Sequence, residues 1–281
     1  MTEPLLLPPA RESIDEIPAP SRPPPHQLAA WAVDRAARSF PFFLNFVSTV
    51  DEAEADPKAR LKPMPIPPPY ISHVAAVLQQ EPLLWVPKSR RMVMTWLHAA
   101  ELVWRMLQPR THTFIQSKKE TDADWLVKDR VWFIFQYLPD WFKYIALDGK
   151  LTASYKYCRL ELPNGSKCWG VAQGPDQFRQ FTPSAILVDE AAFQDEFENT
   201  HTAILPLSEK GCALRFVSSA RPSYFGQIVN SPIAGTIREP MPGVRQWQLG
   251  EGGHVLRLHY TADPAKDPAR NGQEWNDHER A

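Results

Sequence analysis

From residue 71 onward, stretches of helical spacing alternate with short, largely apolar runs. The runs cover 83–86, 113–116, 185–188, 213–218 and 254–260, and none keeps the strict alternation of a strand with one wet face. Runs of that kind predict strands buried on both sides. Helical spacing covers 71–80 and 95–108. In the second of these, His98, Glu101, Arg105 and Gln108 form one narrow polar stripe, which predicts a helix buried over most of its circumference. A further helix, capped by Ser117 or Thr121, runs to about residue 135. The aromatic run 131–145, broken at Pro139, reads as core packing, with a partner surface as the alternative. Residues 155–162 and 166–171, joined by Pro163-Asn164-Gly165, predict a hairpin. Strands and helices in this alternation specify an α/β fold with a mostly parallel central sheet covered on both faces.

Ahead of that pattern the chain is different in kind. Residues 1–26 are rich in Pro, including Pro8-Pro9 and Pro23-Pro24-Pro25, and predict a flexible extension. Residues 27–69 hold a helix over 27–50 and a Pro-rich strap over 57–69 that leads into the main domain, 70–260; a tail follows over 261–281. No internal repeat is visible. The net charge of -1 and pI of about 6.7 exclude a global field that would draw the chain onto nucleic acid, so any DNA contact is local. Three cysteines and an N-terminus without an apolar signal segment predict a reducing compartment and no secretion. No apolar run approaches the ~20 residues of a membrane span. A two-residue closure of the hairpin sets Cys168 opposite Glu161 and Cys158 opposite Val171, so these thiols do not face each other, and all three cysteines read as ordinary buried thiols.

The candidate chemistry starts at Lys88-Ser89-Arg90-Arg91-Met92-Val93-Met94-Thr95, a cationic turn between an apolar strand and a helix opening on Thr. Strand, turn and helix in that order present backbone N–H groups to an anion. Against the phosphate-loop pattern G-x-x-x-x-G-K-S/T the window keeps the terminal Thr95, but Lys88, Val93 and Met94 stand at its Gly, Gly and Lys positions. A β-branched Val93 resists positive φ, so the loop is expected to follow another path. Farther along, an apolar strand ends in Asp189-Glu190 and another in Ser218-Ser219-Ala220. An acid pair at a strand end suits an ATPase, one carboxylate holding Mg²⁺ and the next orienting or deprotonating the attacking water. Alone, the pair would be a solvated helix start, the basic turn a surface patch and the serines a cap before Pro222; together and in this order they point to nucleotide chemistry.

These segments, with Gln116 to Glu120, Leu160 to Ser166, and Gln173 to Arg179, resemble the large terminase subunit of tailed bacteriophages, over roughly 70–260. The resemblance implies an ASCE-type P-loop NTPase in three layers with a β-hairpin insertion, a motor that hydrolyses ATP with Mg²⁺ to move double-stranded DNA into a procapsid. It implies that Lys88 neutralises phosphate in place of Met94, and that Ser89, Arg91, Met92, Val93 and Met94 line the ATP. It assigns Mg²⁺ to Thr95 and Asp189, catalysis to Glu190, and stabilisation of the transferring phosphoryl to Arg90. Ser218, Ser219 and Ala220 match the coupling motif. Tyr70 matches the aromatic residue set against adenine, although Ile71 replaces the glutamine that often follows it. Arg179 resembles the arginine that some terminases present in trans; read by itself it is an ordinary salt-bridged arginine, and both readings stand.

The implied partners are double-stranded DNA, a portal protein, a small terminase subunit and further copies of the chain in a ring, without a membrane, in the cytoplasm of an infected bacterial host. The tail 261–281 resembles the start of the linker to an RNase H-like nuclease domain; its Asp263, Asp267 and Asp277 lack strands to converge them, so no cleavage activity is expected. The alternatives are a helicase-like cellular ATPase, for which no further motif follows Ser219, and a nucleotide-binding scaffold without turnover, which Val93 and Met94 would fit.

Overall fold

The computed structural model describes residues 25–51, 54, 56, 59–66, 68–250 and 252–270. Most of the expected extension, 1–24, and the end of the tail with Asp277 lie outside them. Among the described residues the strands are β1 (Ser48–Val50), β2 (Leu61–Pro63), β3 (Leu83–Lys88), β4 (His112–Ser117), β5 (Ser154–Lys156), β6 (Arg159–Glu161), β7 (Lys167–Ala172), β8 (Ala185–Val188), β9 (Ala213–Ser219), β10 (Arg238–Met241), β11 (Val244–Gln248) and β12 (His254–Leu258). The helices are α1 (His26–Arg38), α2 (Phe40–Phe43), α3 (Pro69–Gln80), α4 (Met94–Met106), α5 (Glu120–Leu126), α6 (Phe133–Tyr137), α7 (Asp140–Ala146), α8 (Phe197–Ile204), α9 (Pro206–Glu209) and α10 (Tyr224–Val229).

β1 and β2 pair as a small separate ribbon, and the other strands form one sheet in the order β10-β11-β12-β3-β9-β8-β4-β7-β6-β5. From β12 to β7 every pair is parallel, and antiparallel strands are added at both edges. The apolar runs follow from burial on two faces: Leu84 and Val86 pack with α3 and α4, while Leu83 and Trp85 enter a second core with Phe197 and Phe225. β9 stands between β3 and β8, with Lys88 in register with Ser219. The strand ending in serines is therefore flanked by the strand that ends in Lys88 and the strand that ends before Asp189, at the carboxyl ends where open α/β sheets bind ligands.

Several local expectations are corrected. The single helix over 27–50 breaks at Ser39, whose extended backbone and hydroxyl, accepting from Phe42 N at 3.3 Å, start α2. Neither Ser117 nor Thr121 caps the helix after β4; it starts at Glu120 and passes through a π-helical turn, Val127–Trp132, into α6. The first hairpin strand is split by a turn at which Cys158 takes φ 57°, and β6–β7 pairs Leu160 with Cys168, one residue away from the expected register. The cause is a three-residue loop closed by Gly165 at φ 83°. All three cysteines are free and buried. The polar stripe of α4 is not a wet face: His98 and Glu101 are buried.

Candidate functional site

β3 delivers Lys88 to the start of a glycine-free loop, and the loop meets positive φ without glycine. Arg91 and Val93 adopt left-handed conformations, φ 56° and 60°, which overturns the expectation that Val93 forces another path. Each such residue costs ~1–3 kcal/mol and persists only where its surroundings over-determine it. Here the Tyr70 hydroxyl donates to Met92 O at 3.2 Å, Ser89 N donates to Leu258 O at 2.8 Å, and the Lys266 ammonium donates to Arg91 O. Met92 and Met94 are buried plugs. α4 begins at Met94, one residue before Thr95, with no side-chain cap, so its first-turn N–H groups face the loop as anion donors. Tyr70 is fully buried beneath this loop. Its ring offers no face to a base, which corrects its expected place against adenine.

β8 ends at Val188, and Asp189 N donates to Gln116 O at 2.9 Å. Glu190 then turns left-handed, at φ 46°, and sends its carboxylate back over β9. It accepts from Lys88 Nζ at 2.9 Å, Ser219 N at 3.0 Å and Ser218 Oγ at 3.2 Å. Lys88 Nζ also donates to Ser219 Oγ at 3.3 Å, and Ser218 Oγ accepts from Ala192 N at 3.1 Å. The serines thus do more than cap a turn: they join Lys88 to Glu190. Burial opposes the charge on Glu190, but Lys88 and the donors of Ser218 and Ser219 outweigh it and hold the carboxyl below its usual value. Asp189 moves the other way, to about 6, through burial and the neighbouring Glu190 charge.

Two cavities meet at Lys88. One, of about 630 Å³, is bordered by Lys88, Asp189, Thr95 and the loop residues Arg91, Met92, Val93 and Met94, and on its other walls by β1, β2, Trp125 and Arg130. The second, of about 1020 Å³, is bordered by Ser89, Arg90, Ser219 and Ala220, with Arg221 and Arg257. Its lining contains no acidic residue. Burial and Arg245 push the Arg257 guanidinium below its ordinary value, so an anion beside it is favoured. Ser218 lies buried below both cavities. Arg179 borders neither; it is exposed and paired with Asp176 at 2.8 Å.

Asp189 and Thr95 share one cavity wall and supply a carboxylate and a hydroxyl, the hard-oxygen donors that Mg²⁺ takes. Among the described residues no group of three or more His, Cys, Asp or Glu could hold a metal by itself. A magnesium ion here would complete its shell with waters and phosphate oxygens, its usual habit at phosphate sites. Trp125, Arg130, Arg221 and Arg257 were not singled out in the sequence, where their only signal is proximity to segments that were.

No family model matches the chain, and its sequence matches no curated protein. Among solved structures, the large terminase ATPase domain of Thermus phage P74-26 is 17% identical, with a TM-score of 0.50 over 71% of this chain and 82% of that one. The HK97 bacteriophage large terminase is 14% identical (TM-score 0.47, 66% of this chain and 37% of that one). The large terminase of another thermophilic bacteriophage is 12% identical (TM-score 0.45, 72% and 46%). The chain thus spans less than half the length of these two full terminases. The likeness to the P74-26 domain is one of fold: an α/β chain built on a mostly parallel central sheet, as in that ATPase domain.

Proposed function

We propose that this chain is the motor of viral DNA packaging, hydrolysing ATP with Mg²⁺ to translocate double-stranded DNA into a procapsid. The reading is carried by the contact of Lys88 Nζ with Glu190 at 2.9 Å and Ser219 at 3.3 Å, beside a cavity that also contains Thr95 and Asp189. Lys88 and the first N–H groups of α4 take the phosphates, and Thr95 and Asp189 hold the magnesium ion. Glu190 orients or deprotonates the attacking water, and Arg90 stabilises the transferring phosphoryl. A triphosphate competes with Glu190 for Lys88, because its charge exceeds that of a single carboxylate. Nucleotide binding therefore releases Glu190 toward water while Ser218 keeps hold of its other oxygen. Ser218 and Ser219 report the change along β9.

The acid-free cavity with Arg221 and Arg257 suits a phosphate backbone, and it opens at the same strand ends. Arg179, exposed on the surface, suits an arginine that reaches a neighbouring copy in a ring. The remaining partners are a portal protein and a small terminase subunit, in the cytoplasm of an infected bacterium. ATP turnover in the presence of portal and DNA tests the reading. Lys88→Ala and Glu190→Gln each lower kcat by ~10²-fold or more, since both act on the transferring phosphoryl or its nucleophile. Equal background rates for both variants and the wild type would overturn it.

A further inference from the structure

We infer that the base of the bound nucleotide stacks on Trp125, in the part of the 630 Å³ cavity between α5 and the β1–β2 ribbon; this rests on the nucleotide reading above. The lining of the cavity includes an ionic group of residues at one end and an aromatic one at another. The loop, α4 and the end of β8 contribute Lys88, Thr95 and Asp189, an ionic end for phosphates and a metal. The β1–β2 segment and α5 contribute Val50, Pro63, Pro65 and Trp125, an aromatic end rimmed by the polar Thr49, Asp51 and Lys62. A nucleotide is divided in the same way, and the volume lies within the ~300–1,000 Å³ of small-molecule sites.

Two indoles border this cavity, Trp96 at 9% exposure and Trp125 at 45%, and only the second leaves a substantial part of its ring open. Tyr70, sealed under the loop, cannot serve. Trp125 is also held in place. The Arg130 guanidinium lies 4.1 Å from its ring centroid and 4.3 Å from that of Trp96, so that the cation is layered between two indoles. Such a layer fixes the ring plane before any ligand arrives. The π-helical turn Val127–Trp132 accounts for the geometry. At 3.6 residues per turn, positions five apart point to different faces; the wider i→i+5 turn returns Arg130 to the side of Trp125. π-turns recur at functional sites, and this one builds the back of a stacking platform. Across the cavity, Lys62 and Asp51 are paired at 2.8 Å, offering a donor and an acceptor to the edge of the base.

Calorimetric titration with Mg-ATP, Mg-ADP and inorganic tripolyphosphate separates the two ends of the cavity. Trp125→Ala weakens ATP and ADP by about tenfold or more, in line with the loss of one base–aromatic stack, and leaves tripolyphosphate within about twofold. Trp125→Phe restores ATP to within about threefold, which a merely structural role for the indole would not require. Lys88→Ala weakens all three ligands. The inference is overturned if Trp125→Ala leaves ATP binding unchanged, or weakens tripolyphosphate as much as ATP. A wild type that binds neither ATP nor tripolyphosphate defeats the nucleotide reading itself, and the stacking site falls with it.

Discussion

Arg215 of β9 and Glu101 of α4 form a fully buried ion pair, with Nε 3.0 Å from Oε2 and Nη2 2.8 Å from Oε1. The remaining guanidinium hydrogens go to Leu78 O, Pro82 O and Leu214 O, and Arg105 adds a second cation at 2.8 Å from Glu101. Burial opposes the charge on Glu101, but Arg215 and Arg105 outweigh it and hold the carboxyl down at about 2. The pair ties the helix that starts at Met94 to the strand that ends at Ser218 and Ser219.

Removing Glu101 strands Arg215 in the core, and removing Arg215 leaves the buried Glu101 with the partly exposed Arg105 as its remaining cation. Glu101→Leu and Arg215→Met each lower unfolding stability by ~3–5 kcal/mol, the usual cost of breaking a buried pair from one side. The double variant loses less than the two single losses combined, because neither buried charge of the pair remains and only the partly exposed Arg105 has lost a partner. Urea unfolding of the four proteins measures this, and strict additivity would show that the two charges do not depend on one another.

Ser218 makes a different kind of bond, since its hydroxyl both accepts from Ala192 N and donates to Glu190 Oε2. Ser218→Ala removes one of the two donors to Glu190 Oε2, leaving Ser219 N, without touching the loop after Lys88. It lowers kcat for ATP by about tenfold, equivalent to ~1.4 kcal/mol, and leaves KM within about twofold. Ser219→Ala has a smaller effect, because the backbone N–H of residue 219 still reaches Glu190. A rise in KM with unchanged kcat in Ser218→Ala would assign the hydroxyl to nucleotide binding instead.

His98 makes stability depend on pH. Burial pushes its imidazole down to about 4; Glu101 and the Met94 carbonyl oppose the shift, and Arg215 and Lys88 add to it. The ring is neutral in the fold, while the unfolded chain takes up a proton near pH 6.5. Its contribution is therefore complete above 6.5 and is lost as pH falls toward 4. By pH 5 the loss is ~2 kcal/mol, from ~1.4 kcal/mol per unit. His73 and His112, also lowered by burial, act in the same direction. His98→Leu should remove about that much of the difference between urea unfolding at pH 7.5 and pH 5, and an unaltered difference would place the sensitivity elsewhere.

The parallel strands could be read from the chain because burial on two faces leaves a direct mark, an apolar residue at every position of 83–86 and 185–188. The acid pair and the serines could be read for a similar reason, since chemistry sits at strand ends. What stayed hidden depends on partners remote in sequence. Glu101 looked solvent-facing because its partner, Arg215, lies 114 residues away. The left-handed turns at Arg91 and Val93 are held by Tyr70 and Lys266, neither of which belongs to the loop's own sequence. Trp125 and Arg130 gained meaning only once a π-turn brought them together. β10 and β11 escaped notice because the wet residues of an edge ribbon break the apolar run that marked the other strands.

If the larger cavity holds a DNA backbone, as proposed above, the binding carries a salt signature. Arg221 is exposed, with its guanidinium over the Phe193 ring at 5.0 Å, and Arg257 is half-buried, donating to Asn230 Oδ1 at 2.6 Å. Neither borders the smaller cavity around Thr95 and Asp189, so both can be removed without touching the loop. Each arginine that neutralises a backbone phosphate contributes ~0.9 to the slope of log K against log salt. The variant Arg221→Ala/Arg257→Ala should therefore bind duplex DNA more weakly and with a slope shallower by up to ~1.8, regardless of DNA sequence. Its affinity for Mg-ATP should stay within about twofold of the wild type. Fluorescence anisotropy across a salt series measures the slope, and an unchanged slope in the double variant would rule this groove out as the contact with the DNA backbone.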